Sequence, residues 1–408
     1  MRKKMLHRRI EIVAVILTFC SIAVAGEPFK GLCERDVFVV GSGYGIYRIP
    51  SIVTTTKGTL LAFAEGRANI SDHAQNDIVL KRSTDLGKTW SELMVVAESD
   101  ANCLNNPQVV VLPDSGQIIL FYQFNPENYH TRPIGDKIKV LKPGVSGPDV
   151  GLCFATHSDD DGLTWSKPND ITAQVKRPEK VVSFAGGPGI GIMLRNEPYK
   201  GRIIMPFNES WYEPDGRPFR VYSVYSDDNG QNWKYGNPAP YDHNKPEGKG
   251  YGNEVQMVEL ADGTLMLNAR SDKGNKFRKV AYSKDGGINW SCLYDEPQLP
   301  EPECMGSIIR YSWPENGQKS RILFSCPASQ TAKPGSRQSR TLGTIYLSYD
   351  EGKTWPISKL LYGDMYGYSC LTVLPDGTIG CLFEKDGCKT ITFARFTLDW
   401  LTGPEKSK

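Results

Sequence analysis

Five copies of one short pattern, S-x-D-x-G-x-[TN]-W, run along this chain and constrain its fold more than any other feature. They are Ser83–Trp90 (STDLGKTW), Ser158–Trp165 (SDDDGLTW), Ser226–Trp233 (SDDNGQNW), Ser283–Trp290 (SKDGGINW) and Ser348–Trp355 (SYDEGKTW), and their starts lie 75, 68, 57 and 65 residues apart. Asp-x-Gly predicts a tight turn, with the carboxylate bonding turn amides and Gly at φ > 0. The Trp can then pack back over that turn. Each copy follows an apolar stretch such as Asp77–Lys81 or Thr344–Leu347, so each is expected to join two antiparallel strands. A second signature is a Gly-centred turn leading into a strand, as in Leu374–Ile379 (LPDGTI), with related turns at Gly58, Gly116, Gly201, Gly263 and Gly317. One hairpin plus one further turn makes a four-stranded unit. The expected fold is therefore all-β: a six-bladed β-propeller with four-stranded antiparallel blades. The sixth unit, from Tyr368 onward, lacks the Asp-Gly-Trp turn, and its outer strand is expected from Asp36–Val40, closing the ring. A solenoid is the alternative, but its repeats would be shorter and more uniform. The five turns are expected to be structural, neither catalytic nor calcium-binding.

The 408 residues suit two average domains or one large all-β domain. No Pro/Ser-rich linker or long amphipathic helix suggests a second one. A net charge of +2 gives no sign of nucleic-acid binding or of a polybasic membrane surface. Residues 1–9 (MRKKMLHRR) are basic, Ile12 to Ala25 are almost wholly apolar, and Ala23-Val24-Ala25 reads as a cleavage site. Residues 1–25 are thus expected to be a signal peptide and 26–408 one domain, secreted or periplasmic, with no stable membrane insertion after cleavage. Uncleaved anchoring is the alternative. Cleavage removes Cys20 and leaves nine cysteines, so at least one thiol stays free whatever pairing occurs. No C-x-x-C pair or His-rich cluster is present, and neither metal nor cofactor is expected.

Tyr47-Arg48-Ile49-Pro50 opens the first unit. This YRIP motif, with the five repeated turns (Asp boxes), resembles the sialidase family over essentially the whole mature chain. Asp boxes alone occur in other secreted proteins; combined with YRIP and suitably spaced downstream residues they are specific. The resemblance implies an exo-α-sialidase that hydrolyses terminal α-linked sialic acids of glycoproteins, glycolipids or oligosaccharides. It also implies retention of configuration through a tyrosyl-enzyme intermediate.

The substrate's carboxylate calls for converging arginines, which grip it bidentately. The resemblance maps these onto Arg48, Arg270 (LNAR) and Arg340 (SRTLG), with Arg337 as a rival to the last. A carboxylate nucleophile would be repelled by the substrate's own charge, whereas a neutral Tyr is not, and sialidases use Tyr. With an ordinary pKa of about 10, that Tyr needs a base. The resemblance implies Tyr368 as nucleophile, with Tyr366 and Tyr362 as rivals, and Glu254 as base. Asp72 matches the general acid, on the loop 68–76 after Ala64-Glu65-Gly66-Arg67, with Asp77 as a rival. Glu384 resembles a carboxylate holding the first arginine, and Arg67 a residue contacting the sugar's 4-hydroxyl. Asn106 occupies a place where family members often carry an acid. His73, beside Asp72, is expected to face solvent.

Taken singly, each residue has a blander reading: surface arginine, packed strand tyrosine, solvated carboxylate or turn aspartate. Three alternatives stay open: a trans-sialidase, a sialic-acid-binding propeller without catalysis, and an Asp-box interaction scaffold. The sequon Asn69-Ile70-Ser71, directly before Asp72, favours a bacterial source, since a glycan there would crowd the proposed site.

Overall fold

The computed structural model describes residues 31–131, 138–214, 216–330 and 337–403; the expected signal peptide lies outside them. The described residues are all-β, with only two short α-helices among them, Thr172–Val175 and Leu398–Thr402. Its strands follow one another in antiparallel groups. The first is Ile46–Thr54, Leu60–Arg67, Asn76–Ser83 and Met94–Ala97. The second is Cys103–Val111, Ile118–Asn125, Leu152–Ser158 and Asn169–Asp170. Ser183–Gly186, Ile203–Ser210, Phe219–Ser226 and Lys234–Tyr235 form the next. Tyr251–Glu259, Leu265–Asp272, Phe277–Ser283 and Tyr294–Pro300 follow.

The last two groups share a strand. Ser307–Ser312, Arg321–Pro327 and Thr341–Ser348 end on the first part of the long strand Ile357–Val373. Its second part pairs with Ile379–Lys385, and Thr390–Phe396 comes next. The outermost position there is taken by Leu32–Val39, antiparallel to Thr390–Phe396. The sequence-based expectation of an outer strand from Asp36–Val40 is met, with the strand beginning earlier.

Both turn signatures fall between strands as expected. Gly58, Gly116, Gly201, Gly263, Gly317 and Gly377 all have φ between +75° and +86°. In each Asp-Gly-Trp turn the Ser Oγ donates to the Asp carboxylate and accepts from the Gly N–H. That carboxylate also accepts from the backbone and side chain of the Thr or Asn. Five separate segments thus carry one hydrogen-bonding scheme.

The Trp side chains reach further than their own turns. Trp165 packs edge-on to Phe63 and Trp233 to Phe121, each in the preceding group, while Trp90 of the first group packs on Phe393 near the other end of the chain. Strand Leu60–Arg67 is buried at every residue, as expected for a strand sandwiched between neighbouring sheets. No disulfide joins the nine cysteines of the described residues. No helix of the described residues is long and apolar enough to cross a membrane.

Candidate active site

The first strands of four groups share an irregularity. Register shifts occur between Arg48 and Ser51, Asn105 and Gln108, Gly252 and Val255, and Tyr366 and Ser369. In each case one extra residue is inserted, a β-bulge that re-aims a side chain. Arg48, Asn106, Glu254 and Tyr368 lie at or within these bulges. Ile49 and Asn106 adopt left-handed backbone, φ 58° and 54°. Pro50 and Pro107 sit inside the same irregularities, where a missing N–H breaks no ladder bond.

All nine residues expected at the site come together. Arg48, Arg67, Asp72, Asn106, Glu254, Arg270, Arg340 and Tyr368 line one cleft of about 380 Å³, and Glu384 lies directly beneath it. Glu384 is 2% exposed and accepts from Arg48 Nε (2.9 Å) and Nη2 (3.1 Å), the Ile49 N–H (2.9 Å) and the Tyr368 N–H (3.1 Å). It therefore fixes both an arginine and two bulges. Burial would raise its carboxyl pKa, but Arg48 and the two amides outweigh that and hold it below the usual range.

Tyr368 donates a short hydrogen bond to Glu254 Oε1, while Arg270 Nη1 bonds Glu254 Oε2 (2.8 Å) and the Tyr368 hydroxyl (3.1 Å). Burial and the Glu254 charge push the Tyr368 pKa well up, against the pull of three arginines. Arg48 and Arg340 both place their guanidinium carbons 5.2 Å from the Tyr368 ring centre. Arg340 is 7% exposed, and among the described residues its guanidinium donates one hydrogen bond, to the Glu303 carbonyl at 3.2 Å. It has no carboxylate partner among the described residues.

Asp72 stands at the opposite side on a more exposed loop. Arg67 Nη1 donates to it at 2.7 Å, and Arg48 Nη1 lies at 3.5 Å. Asn106 donates through Nδ2 to the Gly186 carbonyl (3.3 Å).

The tyrosine and aspartate rivals are elsewhere. Tyr366 is fully buried against Phe383, its hydroxyl 2.6 Å from Ser325 Oγ. Tyr362 bonds Asp386, and Asp77 is engaged by Tyr44 and Gln75. His73 departs from expectation: it is half-buried, its ring centre 3.7 Å from that of His130, because the 129–131 segment closes over its loop.

One residue escaped the sequence reading. Glu65, 0% exposed, accepts from Arg67 Nε (2.6 Å) and from the Asn106 N–H (2.7 Å). Burial raises its carboxyl pKa, with Arg67 and that amide opposing. Its one sequence signal was a charge two residues before Arg67 in an otherwise apolar strand.

Known proteins share this arrangement of strands. Residues 58–381 match the model of the BNR repeat-like domain. The chain is 36% identical to a sialidase of Micromonospora viridifaciens over 93% of its own length and 55% of that protein's. It is 32% identical to a sialidase of Bacteroides fragilis, covering 83% of this chain and 60% of the relative. It thus spans between half and two thirds of these two curated relatives. The Hadza microbial sialidase Hz136 superposes with a TM-score of 0.74 at 30% identity, covering 90% of this chain and 69% of that one. The all-β chain shares the fold of this sialidase. The chain belongs to the sialidase family.

Proposed function

We propose that this protein is an exo-α-sialidase, cleaving terminal sialic acids from glycoconjugates with retention of configuration. The observation that carries the reading is the buried contact of Tyr368 with Glu254, set among Arg48, Arg270 and Arg340. The arginines receive the substrate carboxylate; Arg340, without a carboxylate partner among the described residues, is the most available. Tyr368 attacks the anomeric carbon while its proton passes to Glu254. The high pKa keeps Tyr368 neutral until that transfer, so no phenolate meets the incoming anion. Asp72 protonates the leaving oxygen, and water then releases the sugar, with Asp72 now the base.

Charge supports the same reading. Arg48, Arg67, Arg270 and Arg340 face Glu65, Glu254, Glu384 and Asp72. With Asp72 protonated this set carries one excess positive charge, matching a monoanionic sugar.

Six antiparallel groups of four strands, counting Leu32–Val39 in the last, support a six-bladed propeller carrying five Asp boxes. On this reading residues 26–408 form one catalytic domain and 1–25 an export signal. Sialylated glycoproteins, glycolipids and oligosaccharides are the substrates, and the protein is exported.

The test is release of 4-methylumbelliferone from its α-sialoside, with other glycosides as controls. The α-anomer of sialic acid appears first by proton NMR, and 3-fluorosialosyl fluoride labels the peptide holding Tyr368. Tyr368→Phe abolishes labelling while the thermal midpoint stays close to wild type. A β-anomer as first product, or full hydrolysis by Tyr368→Phe, rejects the mechanism. Transfer of the sialyl group to added lactose in preference to water would favour the trans-sialidase alternative.

A further inference from the structure

Glu65 lies beneath the acid side of the cleft and touches no place the sugar can reach. Its carboxylate is fully buried on the strand Leu60–Arg67, yet it makes contacts of two kinds. One is with Arg67, through Nε at 2.6 Å and Nη2 at 2.5 Å. The other crosses to the next group, where it accepts from the Asn106 N–H at 2.7 Å and the Asn105 side chain at 3.4 Å. Arg67 in turn spends Nη1 on Asp72, at 2.7 Å. Glu65, Arg67 and Asp72 thus form a chain of alternating charge from the core to the loop. Arg67 is 1% exposed, and a buried guanidinium keeps one pose only if its donors are anchored.

Resting on the reading of Asp72 as proton donor, we propose that Glu65 is a positioning residue: it orients and neutralises Arg67 so that Arg67 holds Asp72 in place without stripping its proton. Asp72 must be held and must also stay an acid. A bare Arg67 would favour the carboxylate form, as Arg48 already does from 3.5 Å. The negative charge of Glu65 offsets the nearer of these two cations. Other titratable groups at this corner are Cys103, whose thiol donates to the Asp72 carbonyl at 3.3 Å, and the edge-to-face pair His73 and His130. Neither histidine contact explains why a carboxylate is buried under Arg67.

A general acid matters most when the leaving group is poor, and that separates this role from a structural one. Glu65→Gln is compared with wild type on 3′-sialyllactose, whose sugar leaving group needs a proton, and on the 4-methylumbelliferyl sialoside, whose leaving group needs little help. The expected result is a loss in kcat/KM of about 10- to 100-fold on sialyllactose, the size of one charge-assisted contact, and about ten-fold less on the activated substrate. The alkaline limb of the sialyllactose pH profile moves to lower pH, and Glu65→Asp, which keeps the charge, recovers part of both. The ratio between substrates does not depend on the fraction of folded enzyme. If Glu65→Gln does not fold, Arg67→Lys, which keeps the charge but loses the two-pronged grip, must show the same substrate-dependent loss. Equal losses on both substrates with an unmoved alkaline limb overturn the role of Glu65. A wild-type chain inactive on both would instead overturn the sialidase reading on which it rests.

Discussion

Residues around the cleft differ most in how their charge is compensated. Arg48 has Glu384, Arg67 has Glu65 and Arg270 has Glu254, whereas Arg340 has a single carbonyl. Lys176 is the extreme case. It is fully buried behind the cleft wall, donating to the Gly151 carbonyl at 3.0 Å, with the Phe184 ring centre 5.0 Å away. No carboxylate among the described residues pairs with it, and burial lowers its pKa to about 8. The unfolded chain keeps the proton up to the ordinary lysine value of 10.5. Below pH 8 both states are protonated and folding bears the cost of a buried charge; between 8 and 10.5 the folded state has shed it and stability rises with pH. Lys176→Met should therefore stabilise the protein by about 2–3 kcal/mol at pH 7, allowing about 1.4 kcal/mol per pKa unit and some loss of the carbonyl bond. That gain should fade towards pH 10.5. Urea denaturation at several pH values measures it, and a pH-independent difference would show that burial does not shift Lys176 from its unfolded value.

At the scale of elements, the sequence was informative where structure is local and nearly silent where it is not. Both turn signatures could be read because each is closed by bonds within five residues, as the repeated Ser-Asp-Gly scheme shows. The bulges were not read, although Pro50 and Pro107 inside buried strands are the mark such irregularities leave. Glu65 was missed because its second partner lies 41 residues away. The packing of each Asp-Gly-Trp turn against the preceding group was equally hidden, and it sets apart glycines that share one backbone conformation. Gly87 and Gly201 both have φ above +80° or at it, 80° and 86°, so Ala costs about 1–2 kcal/mol in strain at either. A Cβ on Gly201 meets nothing within 4 Å, while one on Gly87 falls 2.1 Å from Phe393 Cε1. Gly201→Ala should lower stability by about 1 kcal/mol, and Gly87→Ala by about 3 or more, once overpacking is added. Comparable urea midpoints for the two variants would mean that Phe393 moves aside freely and that this contact does not lock the first group to the last.

The whole molecule is held together by its ends. Val37 and Phe38, 2% and 1% exposed, pack in one cluster with Tyr47, Leu382, Ile391 and Phe393. Lys385 bonds Glu34 at 2.8 Å across more than three hundred residues of chain. Leu32–Val39 thereby covers an edge of the sheet whose second strand carries Glu384, the residue that fixes Arg48 and the backbone of Tyr368. No residue of the cleft lies before Arg48, so local chemistry alone would make this strand dispensable. The fold argues otherwise. Burying the Val37 and Phe38 side chains contributes about 1.5–3 kcal/mol each, and losing the strand also strips ladder bonds from Thr390–Phe396. Against a total stability of about 5–15 kcal/mol, that is a large share. A chain beginning at Gly26 should match the 408-residue chain in thermal midpoint and in kcat/KM on the methylumbelliferyl sialoside. One beginning at Gly41 should unfold many degrees lower and lose most activity, although every residue of the cleft is retained. Because the lost partner is a single strand, a synthetic peptide of residues 31–40 added in excess should restore part of the activity by re-pairing with Thr390–Phe396. Unchanged kinetics in the chain beginning at Gly41 would mean that the last group holds Glu384 without its outer strand, and that the ends of the chain do not secure the site.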